Sequence, residues 1–506
     1  MPYKNTYVKE VFVAENEFRT AKPETIKPRS FAEARKILPA PVWEGHDKEI
    51  EMYWHAWRIA VGNIRQPQEG SGFVSPYLDI AYNGNIFMWD ASFMMMFARY
   101  GYRFFPFQRS LDNFYAKQHP DGFICREIRA DGSDCFERYD PTSTGPNLLP
   151  WVELTYYRQF GDIDRLHKVF PALCAYAKWW RLNRTWPDGT YWSSGWGTGL
   201  DNMPRVKPEY NPIFSHGHMV WLDTNLQQML VDESLLNIGF YIERWQEIED
   251  MEDEMKRLRA YVNEHLWDER TAFLYDRYGD GTLCTTKGIG AFWALQADAL
   301  DRERLDRMVA HLSDTTEFDR PHRVPSLSAD HPKYNPLGRY WQGGVWPGTN
   351  YMTIDGLYRK GYHDLAREIA ANHYAAVFEV WKNTGTFWEY YAPETIEPGF
   401  MARKDFVGWT GLPPIALFIE YILGVKSDYS EGRIVWDIDH TEAHGIERYP
   451  YGPDGVVGLK VKRRASAGET PSVSVETNVP FDLTVTWGDG RSRTVRVEKS
   501  GSVKLN

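Results

Sequence analysis

Leu149–Leu182 reads LPWVELTYYRQFGDIDRLHKVFPALCAYAKWWRL. Its apolar spacing predicts one helix over Leu149 to Phe160 and a second over Ile163 to Leu182, kinked or restarted at Pro171. No strand leads into either helix, as one would in a βαβ unit. The pattern continues in both directions. Upstream, Ile50, Tyr53, Trp57, Ala60 and Val61 share one face of a helix that begins near Asp47. Further helices are predicted over Ala91 to Tyr100 and near Phe107 to Gln118. Downstream, a Thr224-x-x-Gln227 capping box opens a helix to about Phe240, and a long charged helix runs from about Glu243 to Trp267. Others cover Ile289 to Ala297, Arg302 to Leu312, Val345 to Arg359, Asp364 to Trp381 and Leu412 to Leu423. About a dozen helices, joined by alternating short and long loops and lacking a sequence repeat, describe a mainly α chain. They fit an (α/α)6 barrel, a toroid whose inner helices are wrapped by an outer ring.

The two ends read differently. Residues 1–44 are Pro-rich and form an arm packed on the barrel, which takes residues 45–426. From Gly432 helical periodicity is lost. Strands are predicted over Val456 to Val461, Ser472 to Glu476, Phe481 to Trp487 and Ser492 to Val497. Asp489-Gly490 is the strongest hairpin signal in the chain. Residues 427–506 are therefore read as a small antiparallel β module. Within the helical part, Phe123 to Arg129 reads as a short strand, and Phe273 to Tyr278 with the Gly279-Asp280-Gly281 turn as a short hairpin.

The chain has 506 residues, a formal charge of −11, 15 % aromatic residues and 21 Trp. So many aromatic faces suit both a large core and a cleft that stacks pyranose rings. The acidic balance and the lack of a basic run argue against a nucleic-acid partner. No stretch reaches the ~18 apolar residues of a membrane span. MPYKNTYVKEVF at the start has no apolar signal region, so a cytoplasmic location is expected. Cys125, Cys135, Cys174 and Cys284 are too few for a disulfide framework and form no CxxC pair, so free thiols are expected. His216 and His218 make a weak HxH, and no strong metal or nucleotide motif occurs. No metal or cofactor is expected, and the partner class is a small carbohydrate.

The loop Tyr191–Arg205, YWSSGWGTGLDNMPR, follows the second helix of the opening pair. Gly195, Gly197 and Gly199 allow unusual backbone angles and close approach to a ligand. Trp192 and Trp196 can wall Asp201 from water, and a desolvated carboxyl stays protonated toward neutral pH, as a general acid must. The plain alternative is that Asp201 caps a turn with Asn202 or pairs with Arg205. In Thr384–Glu394, Glu389 is flanked by aromatics, Tyr390 among them, which suits a general base; the alternative is a buried Glu bonded to Arg or Trp. Glu394 reads as a turn or surface residue. Asp90, beside Trp89, lies at the entry to an apolar helix, where it either caps the helix or accepts sugar hydroxyls. Tyr340–Pro347 forms a second Gly/Trp loop in which Gln342, with Arg339 just before it, can bind hydroxyls while Trp341 or Trp346 stacks. Gly408-Trp409-Thr410 offers another platform.

Four of these segments, in order, resemble the inverting (α/α)-barrel glycosidases of the trehalase and family 63 glycoside hydrolase group, including its mannosylglycerate-hydrolase-like members. They are FMWDASF, SGWGTGLDNMPR, RYWQGGVWPGTNY, and FWEYYAPET followed by FVGWTGL. The likeness spans roughly residues 80–424. It implies that Asp201 is the general acid, Glu389 the general base and Asp90 a ligand of the sugar on the cleaved side. Two features depart from the pattern: Leu200 stands where relatives often carry Trp, and a C-terminal β module replaces the large N-terminal β-sandwich of some members. Calcium occurs in some relatives, but no D-x-D-x-D run is present. The expected function is inverting, exo-acting hydrolysis of a short α-glycoside, with an α-glucoside first. The alternatives are a sugar epimerase or lyase on a similar toroid, and a non-catalytic oligosaccharide-binding protein.

Overall fold

A computed structural model describes residues 6–80 and 82–505. The chain is mainly helical, with a small sheet module at the C-terminal end. The opening pair forms as Leu149–Phe160 and Ile163–Asn183. Gly161 ends the first helix in the left-handed conformation, and the Asp162 side chain caps the second. The second helix runs unbroken through Pro171, whose neighbours Phe170, Ala172 and Leu173 are fully buried. Core packing there outweighs the one backbone bond that proline removes.

Six helical segments pack in a closed cycle. Met88–Ala98 contacts Leu149–Phe160, which contacts Leu222–Tyr241, then Ile289–Leu295, Pro347–Arg359 and Leu412–Ile422, which returns to Met88–Ala98. Every residue of Met88–Ala98 and of Leu412–Ile422 is buried, as expected of a segment covered on all sides. Asp47–Gly62, Ile163–Asn183, Asp250–Tyr261 and His363–Thr384 pack outside this cycle against its members.

Several boundaries differ from those predicted. The Leu222–Tyr241 helix starts two residues before Thr224, so Thr224-x-x-Gln227 lies inside it and caps nothing. Asp223 at its start is taken up by a buried Arg205, which fixes the entry. The long charged helix is three pieces: a 3₁₀ turn Trp245–Ile248, an α-helix Asp250–Tyr261 and a π turn Val262–Leu266. Asp90 is not an N-cap, because its helix already begins at Met88. The chain does fold back at Gly279–Gly281, where Arg277 pairs antiparallel with Leu283; Phe273–Leu274 pairs in addition with Trp267–Asp268, and Arg277–Tyr278 with Met219–Val220.

The C-terminal module holds two sheets. Phe481–Trp487 and Arg491–Val497 pair around the Asp489-Gly490 turn, with Leu483 and Val485 fully buried. Two strands outside the predicted set also form: Arg433–Ile438 joins this sheet, and His444–Tyr451 lies in the other, paired with Gly455–Val461. Arg433–Ile438 runs parallel to Phe481–Trp487, so the module is mixed rather than antiparallel. The other sheet is completed from the far end of the chain, where Ala40–Trp43 pairs antiparallel with His444–Glu447. Among the described residues all four cysteines are free, and no helix is long and apolar enough to cross a membrane.

Candidate active site

The N-terminal ends of three cycle segments meet at one cavity of about 590 Å³. Met88–Ala98 brings Trp89 and Asp90 to its wall. Pro347–Arg359 is preceded there by Trp346, and Leu412–Ile422 by Trp409. Asp201, Asn202, Trp196, Arg339, Trp341, Glu389 and Tyr390 complete the part of the wall that sequence reading singled out.

The Tyr191–Arg205 loop is held by its own small residues. Ser194 caps a single helical turn, Gly195–Thr198, by accepting from the Gly197 N–H. Only Gly199 of the three glycines has a left-handed backbone, at φ +74°, and a Cβ there would stand 2.8 Å from the Trp89 ring. Gly195 is needed for closeness instead: a Cβ would lie 2.4 Å from the Asp201 carbonyl. Trp196 faces the cavity, whereas Trp192 is fully buried against Trp186 and His216 and screens nothing in the cleft.

Two expected ligand contacts are placed elsewhere. Arg205 lies outside the cavity, buried in charge-assisted bonds to Asp223 and Asp276. It anchors the end of the acid-bearing loop to the core and pairs with neither Asp201 nor the cavity. Gln342 also lies outside the lining, and its side-chain amide donates to the Asn202 carbonyl at 3.2 Å. Asn202 accepts from the Trp341 N–H at 2.8 Å, so these two loops are stitched together. Trp341 and Trp346 stack at 4.0 Å, and Trp346 stacks on Tyr390 at 4.4 Å. Trp409 donates its indole N–H to the Glu389 carbonyl at 2.7 Å, which fixes the segment bearing that carboxylate. Glu394 lies in a bend, half-buried, where it grips Arg320 in a bidentate pair and accepts from Tyr334.

The wall carries four carboxyls, Asp90, Glu127, Asp201 and Glu389, and Glu127 accepts from the Asn85 side-chain amide at 2.7 Å. Electrostatics distinguish the other three. Burial pushes Asp201 from its ordinary 3.8 up to about 6, against the opposing pull of Arg126 and the Tyr340 hydroxyl, which donates to Asp201 Oδ2 at 3.0 Å. Burial pushes Glu389 from 4.5 up to about 7, with Arg403 opposing and the Asp201 charge assisting. Asp90 is raised well above its ordinary value, first by burial and then by Glu389. Desolvation leads in each case, so these carboxyls hold protons to unusually high pH.

Sequence reading missed Arg126, Tyr340, Phe400, Met401 and Arg403, all on the wall. Tyr340 stood within a quoted motif, but its backbone at φ +58° and its bond to Asp201 leave no mark in the sequence. Arg126 lies over the Phe136 and Trp196 rings at 4.6 and 5.1 Å. Among the described residues no group of three His, Cys, Asp or Glu side chains is placed to hold a metal ion.

Residues 84–410 match the model of the mannosylglycerate hydrolase MGH1-like glycoside hydrolase domain. The chain is 25 % identical over 353 residues to an uncharacterized protein of Borreliella burgdorferi, covering 67 % of this chain and 72 % of that one. It is 25 % identical over 284 residues to a probable mannosyl-oligosaccharide glucosidase of Schizosaccharomyces pombe, covering 50 % of this chain but 34 % of that protein. In fold it is similar to the GH63 mannosylglycerate hydrolase of Thermus thermophilus solved with glucose, at a TM-score of 0.58 and 18 % identity over 72 % of this chain and 99 % of that one.

Proposed function

We propose, for a chain that belongs to the mannosylglycerate hydrolase MGH1-like glycoside hydrolase domain family, that it is an inverting, exo-acting glycosidase cleaving a short α-glycoside, an α-glucoside first. The supporting observation is that Asp201 and Glu389, far apart in sequence, share one Trp-lined cavity with raised proton affinity. The closed cycle of six segments supports an (α/α)6 barrel, with the cavity at the end where their N-termini gather.

In this reading the sugar stacks on Trp89 or the Trp341–Trp346 pair, and Asp90 accepts its hydroxyls. Trp196, Tyr390 and Trp409 close the walls, and Asn202 and Arg339 face the departing group. Arg205 and Gln342 act one step removed, by fixing loops. Asp201 protonates the leaving oxygen while Glu389 takes a proton from water on the opposite face of the ring. Inversion needs the carboxyl groups ~6.5–9.5 Å apart, with room for that water. The order of proton affinities matters. The sequence reading expects Asp201 protonated and Glu389 ionised, yet Glu389 binds its proton more tightly. The productive form therefore has the proton on the carboxyl that is less strongly raised.

A mannosylglycerate-hydrolase activity is the second reading, favoured by Arg126, Arg339 and Arg403 on the wall, whose guanidinium groups suit a glycerate carboxylate. Incubation with α-linked gluco-disaccharides and with mannosylglycerate, followed by proton NMR, tests both. Release of the β-anomer of glucose is expected. A retained anomer would overturn the two-carboxylate mechanism, and turnover of mannosylglycerate alone would replace the glucoside reading.

A further inference from the structure

The mouth of the cleft differs in chemistry from its floor. The floor carries carboxyls and indoles, while the exposed Arg339 and Arg403 stand with the apolar side chains at the mouth. At the mouth, Tyr82 and Phe400 are half-exposed, and Met401 is 82 % exposed although all three line the cavity. Leu337 extends the patch: it is half-exposed, and its carbonyl accepts from the Phe400 N–H at 2.9 Å. Phe214, also half-exposed, packs edge-on against the Trp196 ring at 4.9 Å. Exposed apolar side chains scattered singly mean nothing, but Leu337, Phe400 and Met401 adjoin one another at the rim of a pocket, and such a group marks a contact for an apolar ligand.

The rim is also shaped. Met401 is held at φ +64° and presents its thioether outward; non-glycine residues seldom adopt that left-handed conformation. The guanidinium carbon of Arg403 stands 3.5 Å from the centre of the Tyr82 ring, so one side of that cation is covered by the ring. Leu337 and Met401 offer no hydrogen bond and no aromatic face, so they gain nothing from sugar hydroxyls. They gain from alkyl and aryl surface.

We propose that the group leaving from this cleft is apolar, an aryl or alkyl aglycone that lies on Phe400, Met401, Leu337 and Tyr82 while the sugar sits below. This rests on the reading of the cleft as a glycosidase site, which it narrows in substrate class. Glycerate would leave the rim unused, and a second sugar would leave Leu337 and Met401 unused.

The test compares methyl, benzyl and octyl α-glucosides, with the matching α-mannosides. These alcohols are of similar acidity, so leaving-group chemistry is nearly constant and differences in kcat/KM report binding at the rim. Benzyl and octyl glycosides should exceed the methyl glycoside by at least about tenfold, since each buried methylene contributes about fourfold at best. In Phe400→Ser with Met401→Asn, where Asn tolerates the left-handed backbone, the octyl-to-methyl ratio should fall toward one. Wild-type ratios near one, or a preference for disaccharide over octyl glycoside, would overturn the proposal. Should no glycoside be hydrolysed, the glycosidase reading fails by itself. The rim is then read from binding of octyl and methyl α-glucoside to Asp201→Asn by titration calorimetry, where equal affinities would overturn it.

Discussion

Replacing Glu389 by Gln should stabilise the protein by an amount that depends on pH. Glu389 is 9 % exposed, and burial holds its carboxyl at about 7 against an ordinary 4.5. Below about pH 4.5 the folded and unfolded chains both carry the proton, and the group contributes no difference. Between the two values the unfolded chain has released its proton while the folded chain keeps it. The native state then binds more protons, so stability falls as pH rises. Above about pH 7 the loss is complete, and at 1.36 kcal/mol per pH unit it comes to about 3 kcal/mol. Gln keeps the shape and cannot ionise, so E389Q escapes that cost. Urea unfolding of both proteins at about pH 4.5, about pH 6 and about pH 8 measures the gap, expected near zero, about 2 and about 3 kcal/mol in favour of the variant. A gap that stays flat with pH, or a wild type that is the more stable at pH 8, would show that burial does not govern this carboxyl and would remove the electrostatic basis for its role.

Three further perturbations probe the same design. Asp201→Asn should lower kcat by about 10²–10⁴-fold while leaving substrate affinity within a few fold, measured by steady-state kinetics and titration. Tyr340→Phe removes a hydroxyl that favours the ionised form of Asp201; the pH–rate profile, a narrow bell with limbs near 6 and 7, should shift the limb set by Asp201 upward, and an unmoved profile would dissociate Tyr340 from the acid. Arg205→Met should cost about 3–5 kcal/mol in denaturant unfolding, because Asp223 and Asp276 would be left buried without their partner; a loss under about 1 kcal/mol would mean that the loop end is anchored elsewhere.

The helices were legible because each must bury an apolar face. Leu149–Phe160 starts and ends at the predicted residues, and Pro347–Arg359 and Leu412–Ile422 fall within two residues of theirs. The carboxylates were legible because Gly/Trp loops are a poor choice for ordinary surface. Hidden were features that depend on partners distant in the chain. Arg205 looked like a ligand contact from its place in the loop, and only the folded chain brings Asp223 and Asp276 to it. Gln342 reads from sequence as a hydroxyl-binding side chain, and only the folded chain brings the Asn202 carbonyl to its amide. His444–Tyr451 carries Gly445, Pro450 and a register shift between Ile446 and Tyr449, which blur the alternation that marks a strand. The rim residues Phe400 and Met401 carry no motif, since their meaning is only their position above the cavity.

The strand Ala40–Trp43 has a consequence for how this chain can be cut. It pairs with His444–Glu447 and, through the Glu44 amide and the Ala443 carbonyl, fastens the two extremities with a bond of 2.9 Å. The protein is thereby a buckled belt: the helical cycle lies between two ends that clasp each other. Excising the C-terminal module at the apparent boundary near residue 426 would strip Ala40–Trp43 of its partner, and trimming the first 44 residues would bare an unpaired sheet edge, the usual template for aggregation. Either truncation removes half of one clasp, so the β module and the N-terminal stretch are expected to be kept or lost together.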